Sequence, residues 1–245
     1  AANNVLAHVP DLNDFVGGFP ILLNREGVLT FEFPHLLNLI EEVQFDTIYH
    51  EHYSYLSLMV VEKILAAHGM RVFDVEELPT HGGSLRVYAC HEDAAHRDEA
   101  GLAAVRAKEQ SAALDRLDTY VGFEPRVVAV RDALLDFLRT ARAEGKTVAA
   151  YGAAAKGNTL LNYCGVGVDL IPFVVDRSAA KQGRYLPGSR IPIFGPEKIS
   201  EEKPDYILIL PWNLRDEIMA DMADARSWGG RFVTAIPELR IFDAP

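Results

Sequence analysis

Four short apolar runs set the limits on what this chain can fold into. They lie at residues 147–151, 171–176, 206–211 and 231–236, and helical stretches, notably 214–225, separate them. Strands that alternate with helices predict a parallel, doubly wound α/β sheet. The first run leads into Gly152-Ala153-Ala154-Ala155-Lys156-Gly157-Asn158-Thr159, with a helix expected over 159–164. A turn between a strand and a helix leaves backbone N–H groups that can bind an anion, and Lys156 adds positive charge. A plain tight turn is the alternative. The turn is not a P-loop, because Gly157-Asn158 stands where Gly-Lys-Ser/Thr is required. It matches a dinucleotide fingerprint only in part, since the alanines between Gly152 and Gly157 break the spacing. Asp176 closes the second run near the place of a ribose-binding acid. The polar residues after it, Arg177, Lys181, Gln182, Gly183, Tyr185 and Pro187-Gly188, read as a surface loop.

The first part of the chain is patterned differently. Residues 3–9 read as the end of a buried strand running into a polar loop, as if the chain began partway through a domain. A helix is expected from Pro10 to Phe15, broken by Gly17-Gly18. Residues 27–34 alternate as a strand, and Pro34 ends it and opens a helix to Val43. Ser57 is an N-cap for a helix over 58–68, with Glu62 placed to support its first turns and Gly69 closing it. Two strand-like runs, 70–78 and 84–90, flank Pro79-Thr80-His81-Gly82-Gly83 and predict an antiparallel hairpin in a mixed sheet. From 91 to 145 alanine, arginine and acidic residues dominate. Helices are expected over 97–120 and 124–144, the second opened by Pro125, with Val128, Leu134, Leu135 and Leu138 near one face. These helices read as a connector with solvated charged faces.

Between these regions lies Phe45-Asp46-Thr47-Ile48-Tyr49-His50-Glu51-His52-Tyr53-Ser54-Tyr55, which packs imidazoles, carboxylates and phenols into eleven residues. Burying such groups is costly unless each is paired. An active-site wall can use them, because proton transfer near neutral pH needs His positioned by Tyr and Glu. A solvated loop with packed tyrosines is the plain alternative. If helical, Tyr49 and His52 share a face; if extended, His50 and His52 do. A metal reading would use His50, His52 and a carboxylate, but the sequence offers no third and fourth ligand. His8 follows a strand end, where open α/β sheets place ligands, and a lone satisfied histidine would look the same. His81-Gly82-Gly83-Ser84 suits a phosphate and equally a hairpin turn.

A chain of 245 residues, 49% hydrophobic, fits one large domain or two ordinary ones. Its formal net charge of −11 argues against general affinity for nucleic acid or an anionic membrane, though not against a local basic pocket. The two cysteines, Cys90 and Cys164, have no metal-ligand spacing and fit a reducing compartment, here the cytoplasm. No apolar run approaches the ~18 residues needed to span a bilayer, and no signal peptide is visible.

Several motifs together resemble a known family. They are Asn3-Asn4-Val5-Leu6-Ala7-His8-Val9-Pro10-Asp11, the Phe45 to His52 run, His81-Gly82-Gly83-Ser84-Leu85-Arg86, the Tyr151 to Asn158 loop, and Gln182-Gly183-Arg184-Tyr185-Leu186-Pro187-Gly188. In that order they resemble the S-adenosylmethionine-dependent sugar C-methyltransferases that act on nucleotide-linked 4-keto-deoxysugars. The resemblance implies three parts: a zinc-binding domain, a class I methyltransferase domain and a Rossmann-like C-terminal domain. Against that pattern this chain reads as a C-terminal portion. Residues 1–95 would be the second half of the methyltransferase domain, ending in a β-hairpin. Residues 96–145 would be the helical connector, and 146–245 the Rossmann-like domain. The zinc-binding cysteines and the glycine-rich loop for S-adenosylmethionine are expected in the preceding part, so no metal is expected here and the piece alone is expected to be inactive.

The resemblance also implies a mechanism. His52 would be the general base that removes the proton beside the C4 ketone. Tyr49 and Glu51 would orient it or steady the enolate oxygen, and His8 would face the same cleft. Gly82, Gly83 and Ser84, with Gly152, Lys156 and Asn158, are the candidates for the nucleotide diphosphate, dTDP being the expected nucleotide. The expected partner is a small-molecule nucleotide sugar, with no nucleic acid or membrane. The alternative is an NAD-binding oxidoreductase-like or regulatory module, with Asp176 as its best feature.

Overall fold

A computed structural model describes residues 1–244. The chain divides into two compact units. One comprises Ala1–Glu42 and His50–Phe123; the other comprises Val43–Tyr49 and the chain from Glu124 onward. The connector expected over 96–145 is therefore divided between the two units.

The first unit is built on a four-stranded mixed sheet. In chain order its elements are β1 (Ala2–Asn3), α1 (Leu12–Gly17), α2 (Phe19–Leu22), β2 (Leu29–Pro34), α3 (Leu36–Glu41), α4 (Leu58–Ala67), β3 (Met70–Leu78), β4 (Ser84–His91), α5 (Ala100–Ser111) and α6 (Leu117–Val121). The strands lie in the order β1-β2-β4-β3, with β1 parallel to β2 and the other pairs antiparallel. Alternation in β2 sends Leu29, Phe31 and Phe33 into a core shared with Leu58, Leu65, Leu85 and Leu102. Between them Glu32, Arg86 and Glu76 stand opposite one another across three strands. Arg86 Nε donates to Glu32 at 2.7 Å and its Nη1 to Glu76 at 3.1 Å, so this buried acid is paired.

Local signals set most of the boundaries. Asp11 caps α1 by accepting from the Asp14 N–H, and Ser57 caps α4 by accepting from Val60. Gly69, at φ +69°, ends α4. Glu62, expected to support the first turns of α4, instead pairs with Arg106. The capping acid is Glu109 from α5, which accepts from the N–H groups of Leu58 (2.6 Å) and Met59 (2.9 Å). The strand end expected within 3–9 falls at Asn3, and the chain beyond it turns as a 3-10 segment over Leu6–His8. The long helix expected over 97–120 is broken after Ser111, where Ala113 takes φ +51° and α6 starts separately.

The second unit contains α7 (Phe123–Ala143), β5 (Val148–Tyr151), α8 (Ala155–Tyr163), β6 (Val174–Val175), β7 (Ile193–Phe194), α9 (Glu197–Glu202), β8 (Tyr206–Ile209), α10 (Arg215–Asp221), β9 (Arg231–Thr234) and β10 (Arg240–Asp243). Its sheet runs β10-β9-β8-β5-β6-β7, parallel throughout except for β10. From the β7 edge that is third, second, first, fourth, fifth, sixth, the doubly wound order that the apolar runs predict. The order reverses between β5 and β8, whose carboxyl ends flank the place where such sheets bind ligands. β7 and β10 lie outside the four apolar runs; two or four residues in a polar context carry little periodic signal. In α7 the buried stripe is Val127, Val130, Leu134, Leu138 and Ala141, so Val128 and Leu135 sit at its margin.

Candidate active site and switch-point cluster

The Phe45–Tyr55 stretch is neither one helix nor one strand. Phe45–Thr47 form a 3-10 turn, and the backbone beyond it loops to Ser57. Both regular geometries considered for Tyr49, His50 and His52 therefore give way to a loop. Its start is in the second unit and its continuation from His50 in the first.

In the first unit the loop is pinned to the turn that carries His8. The Ala7 carbonyl accepts from the Tyr53 N–H at 2.8 Å, and the Glu51 carbonyl lies 2.8 Å from His8 Nδ1. A carbonyl only accepts, so that bond places a proton on Nδ1 of His8 and leaves Nε2 as the acceptor of the neutral ring. The rings of His8 and His52 lie 4.9 Å apart, tilted by 58°. Tyr55 meets His52 edge-on from 6.1 Å. His8 is exposed and His52 half-buried, so the pair combines access with a fixed wall. His8, Glu51 and His52 are thus brought together, and Glu51 contributes its main chain to that contact. Tyr55, to which the residue pattern assigns no role, belongs beside His52.

The glycine loop of the hairpin has a structural task. Gly82 and Gly83 take φ of +90° and +111°, and a Cβ on Gly83 would lie 2.0 Å from Asn38 Nδ2. Ser84 is buried, and its hydroxyl donates to the Thr80 carbonyl at 3.0 Å. Its side chain therefore closes the turn.

Gly152, Lys156 and Asn158 sit at the switch point of the second sheet. α8 starts at Ala155, earlier than the expected 159, which puts Lys156 and Asn158 in its first turn and not in a loop. Gly152, at φ +94°, has the Pro211 ring 2.4 Å from where a Cβ would be. Lys156 Nζ donates to Asn213 Oδ1 at 2.7 Å and lies 4.8 Å above the Trp212 ring. Into this cluster comes Asp46, fully buried, whose Oδ2 accepts from Trp212 Nε1 at 2.9 Å. Its Oδ1 and the Asn158 Oδ1 are buried without a hydrogen-bond partner. Burial pushes the Asp46 carboxyl up to about 6, against the lowering pull of the Trp212 hydrogen bond and of Lys156. Burial also pulls the Lys156 ammonium below its usual range, with Asp46 opposing. The turn at Phe45–Thr47 packs on α8, and the Phe45 ring meets Tyr163 at 5.1 Å. The 45–47 turn thus packs beside the switch point of the second sheet. Asp176 is also engaged, accepting from the Ala153 and Ser178 N–H groups and from Lys181.

Asp46, Trp212 and Asn213 were missed as functional candidates. Their signal was Pro-Trp-Asn directly after an apolar strand, together with an acid set between Phe45 and Thr47. Among the described residues no group of three or more His, Cys, Asp and Glu stands where it could hold a metal ion. No helix among them is long and apolar enough to cross a membrane.

A family profile described as the C-methyltransferase C-terminal domain matches residues 79–237. The chain belongs to this C-methyltransferase family. It is 42% identical, over 238 residues and 97% of its length, to a protein named C-methyltransferase NovU from Streptomyces niveus. It spans 57% of that relative's length. The crystal structure of a UDP-D-quinovosamine 4-dehydrogenase from Vibrio fischeri is similar over 41% of this chain and 93% of its own. That likeness, at 19% identity and a TM-score of 0.30, is too loose to decide anything about this chain. In this C-methyltransferase family member the matched region covers the hairpin turn, α5 to α10 and most of the second sheet.

Proposed function

We propose that the protein of which this chain is part transfers a methyl group from S-adenosylmethionine to carbon on a nucleotide-linked 4-keto-deoxysugar in the cytoplasm. The observation that carries this reading is the 42% identity, over nearly the whole chain, to a named C-methyltransferase. On this reading the first unit is the second half of a class I methyltransferase domain. Its order β1-β2-β4-β3, with β4 antiparallel between β2 and β3, is consistent with that assignment.

The methyl donor would supply an electrophilic carbon. No residue of this chain is assigned to holding it.

The chain's own residues are assigned to the sugar. The C4 ketone acidifies the proton on the neighbouring carbon, because the electron pair left behind delocalises onto oxygen as an enolate. His52 takes that proton. An imidazole titrates near pH 7, and a positioned base contributes ~10²–10⁴-fold. His8, held by the Glu51 carbonyl, flanks His52. Tyr49 donates to the developing enolate oxygen, and Glu51 keeps the loop in place. For the diphosphate, the first turn of α8 with Lys156 and Asn158 is the better candidate, because helix N-termini favour anions. Gly152 shapes that turn. Gly82, Gly83 and Ser84 keep the second place, through backbone approach.

Thermal unfolding of this chain with dTDP, NAD and S-adenosylmethionine in separate samples tests the substrate class. A ligand at 100 times its Kd adds about 2.7 kcal/mol of stability. A rise with dTDP and none with NAD is expected. A rise with NAD and none with dTDP would favour the dinucleotide-binding reading, for which the doubly wound strand order is the supporting observation.

A further inference from the structure

A turn that merely connects two elements has no need of a buried carboxylate, and removing one from water is costly unless its oxygens are paired. Asp46 is fully buried with one oxygen bonded to the Trp212 indole and the other without a partner. It lies in a turn that is otherwise already secured. The Thr47 hydroxyl donates to the Gln44 carbonyl at 2.7 Å, Ile48 N–H to Phe45 O at 3.0 Å, and the Phe45 ring packs on Tyr163. An apolar residue in that place would keep those contacts without the desolvation cost. The position of the acid is also particular: it sits at the switch point of the second sheet, and Tyr49 follows three residues later in the same compact unit.

We infer that Asp46 is a positioning residue for the methylation: held by the Trp212 indole and faced by Lys156 from α8, it sets the backbone of residues 45–49 and with it the place of the Tyr49 phenol. This rests on the reading above that Tyr49 serves the enolate oxygen. Three independent elements converge on the anchor. The acid comes from the 3-10 turn, the indole from the segment after β8, and the ammonium from the first turn of α8. Lys156 is in turn fixed by Asn213, the neighbour of Trp212. A shift of the turn would thus carry through to Tyr49, and misplacement of a catalytic group by ~1 Å can cost ~10²-fold in rate.

The test uses the full-length protein, S-adenosylmethionine and a dTDP-linked 4-keto-deoxysugar, at a temperature where every variant is folded. Asp46→Ala and Trp212→Phe should each lower kcat by roughly 10- to 100-fold with KM little changed. Asp46→Asn keeps an acceptor for the indole and should recover most of the loss. In a Tyr49→Phe background, Asp46→Ala should cost little more, because both changes remove one contribution. Full kcat in Asp46→Ala or Trp212→Phe overturns the proposal. So does a loss from Asp46→Ala that is undiminished in the Tyr49→Phe background. If Tyr49→Phe alone leaves kcat intact, the role given to the phenol fails, a separate and recognisable result. Should Asp46→Ala not fold, Trp212→Phe, which keeps the ring under Lys156, decides the same question.

Discussion

Two buried acids behave oppositely, and the difference lies in what touches them. Burial pushes Glu109 up, but hydrogen bonds from His35 Nε2–H at 2.8 Å and from the Met59 and Leu58 N–H groups outweigh it and hold the carboxyl below its usual range. Its contribution to stability is therefore present above the unfolded-state pKa and is lost as pH falls through the lower folded value. Glu109→Ala strands three donors and should cost about 2–4 kcal/mol in urea unfolding at pH 7. The deficit relative to the native protein should shrink toward pH 3. Asp46 has the opposite sign. With its carboxyl raised from 3.8 to about 6, its contribution is complete below 3.8 and lost as pH rises through 6. A shift of that size corresponds to about 3 kcal/mol. The stability of Asp46→Asn relative to native should thus increase by a few kcal/mol between pH 4 and pH 7, read as melting temperature. A constant difference would mean that Asp46 is not held as described. An acid kept where asparagine would be more stable at neutral pH is consistent with a task other than folding.

At the scale of elements, α8 shows how local rule and packing compete. Glycine in a helix costs about 1 kcal/mol relative to alanine, so Gly157→Ala should help by propensity alone. Here the added Cβ would meet Leu210 Cβ at 2.6 Å, at the end of β8. Overpacking typically costs ~1–3 kcal/mol, so the change should lower stability in denaturant unfolding. A stabilised variant would show that α8 can move off the sheet. The same contrast explains which elements were legible in the sequence. Ser57, Gly69 and the apolar runs act through neighbours in the chain, and the elements they mark stand close to their expected places. The start of α8 was misplaced because Ala154-Ala155-Lys156 carries no capping side chain, and indeed none caps it. The cap of α4 by Glu109 and the insertion of 45–47 against α8 are long-range contacts with no local signature.

For the whole molecule, the alternation of strands and helices predicted the doubly wound sheet, and the hairpin predicted the antiparallel part of the first sheet. What the chain order hid is that residues 43–49 leave the first unit to join the second. A linear reading takes Phe45–Tyr55 as one stretch, whereas its first half is fixed by Trp212 and Tyr163 and its second half by Ala7 and His8. His8 and His52 are singled out, and set in one cleft, by the family resemblance; residue patterning alone does not bring together two rings 44 positions apart in the chain. The central claim is that His52 takes a proton from the carbon beside the ketone. It is tested by incubating the full-length protein with a dTDP-linked 4-keto-deoxysugar in deuterated water and following deuterium at that carbon by mass. The native protein should exchange it and His52→Ala should not. Exchange undiminished in His52→Ala would show that another group is the base.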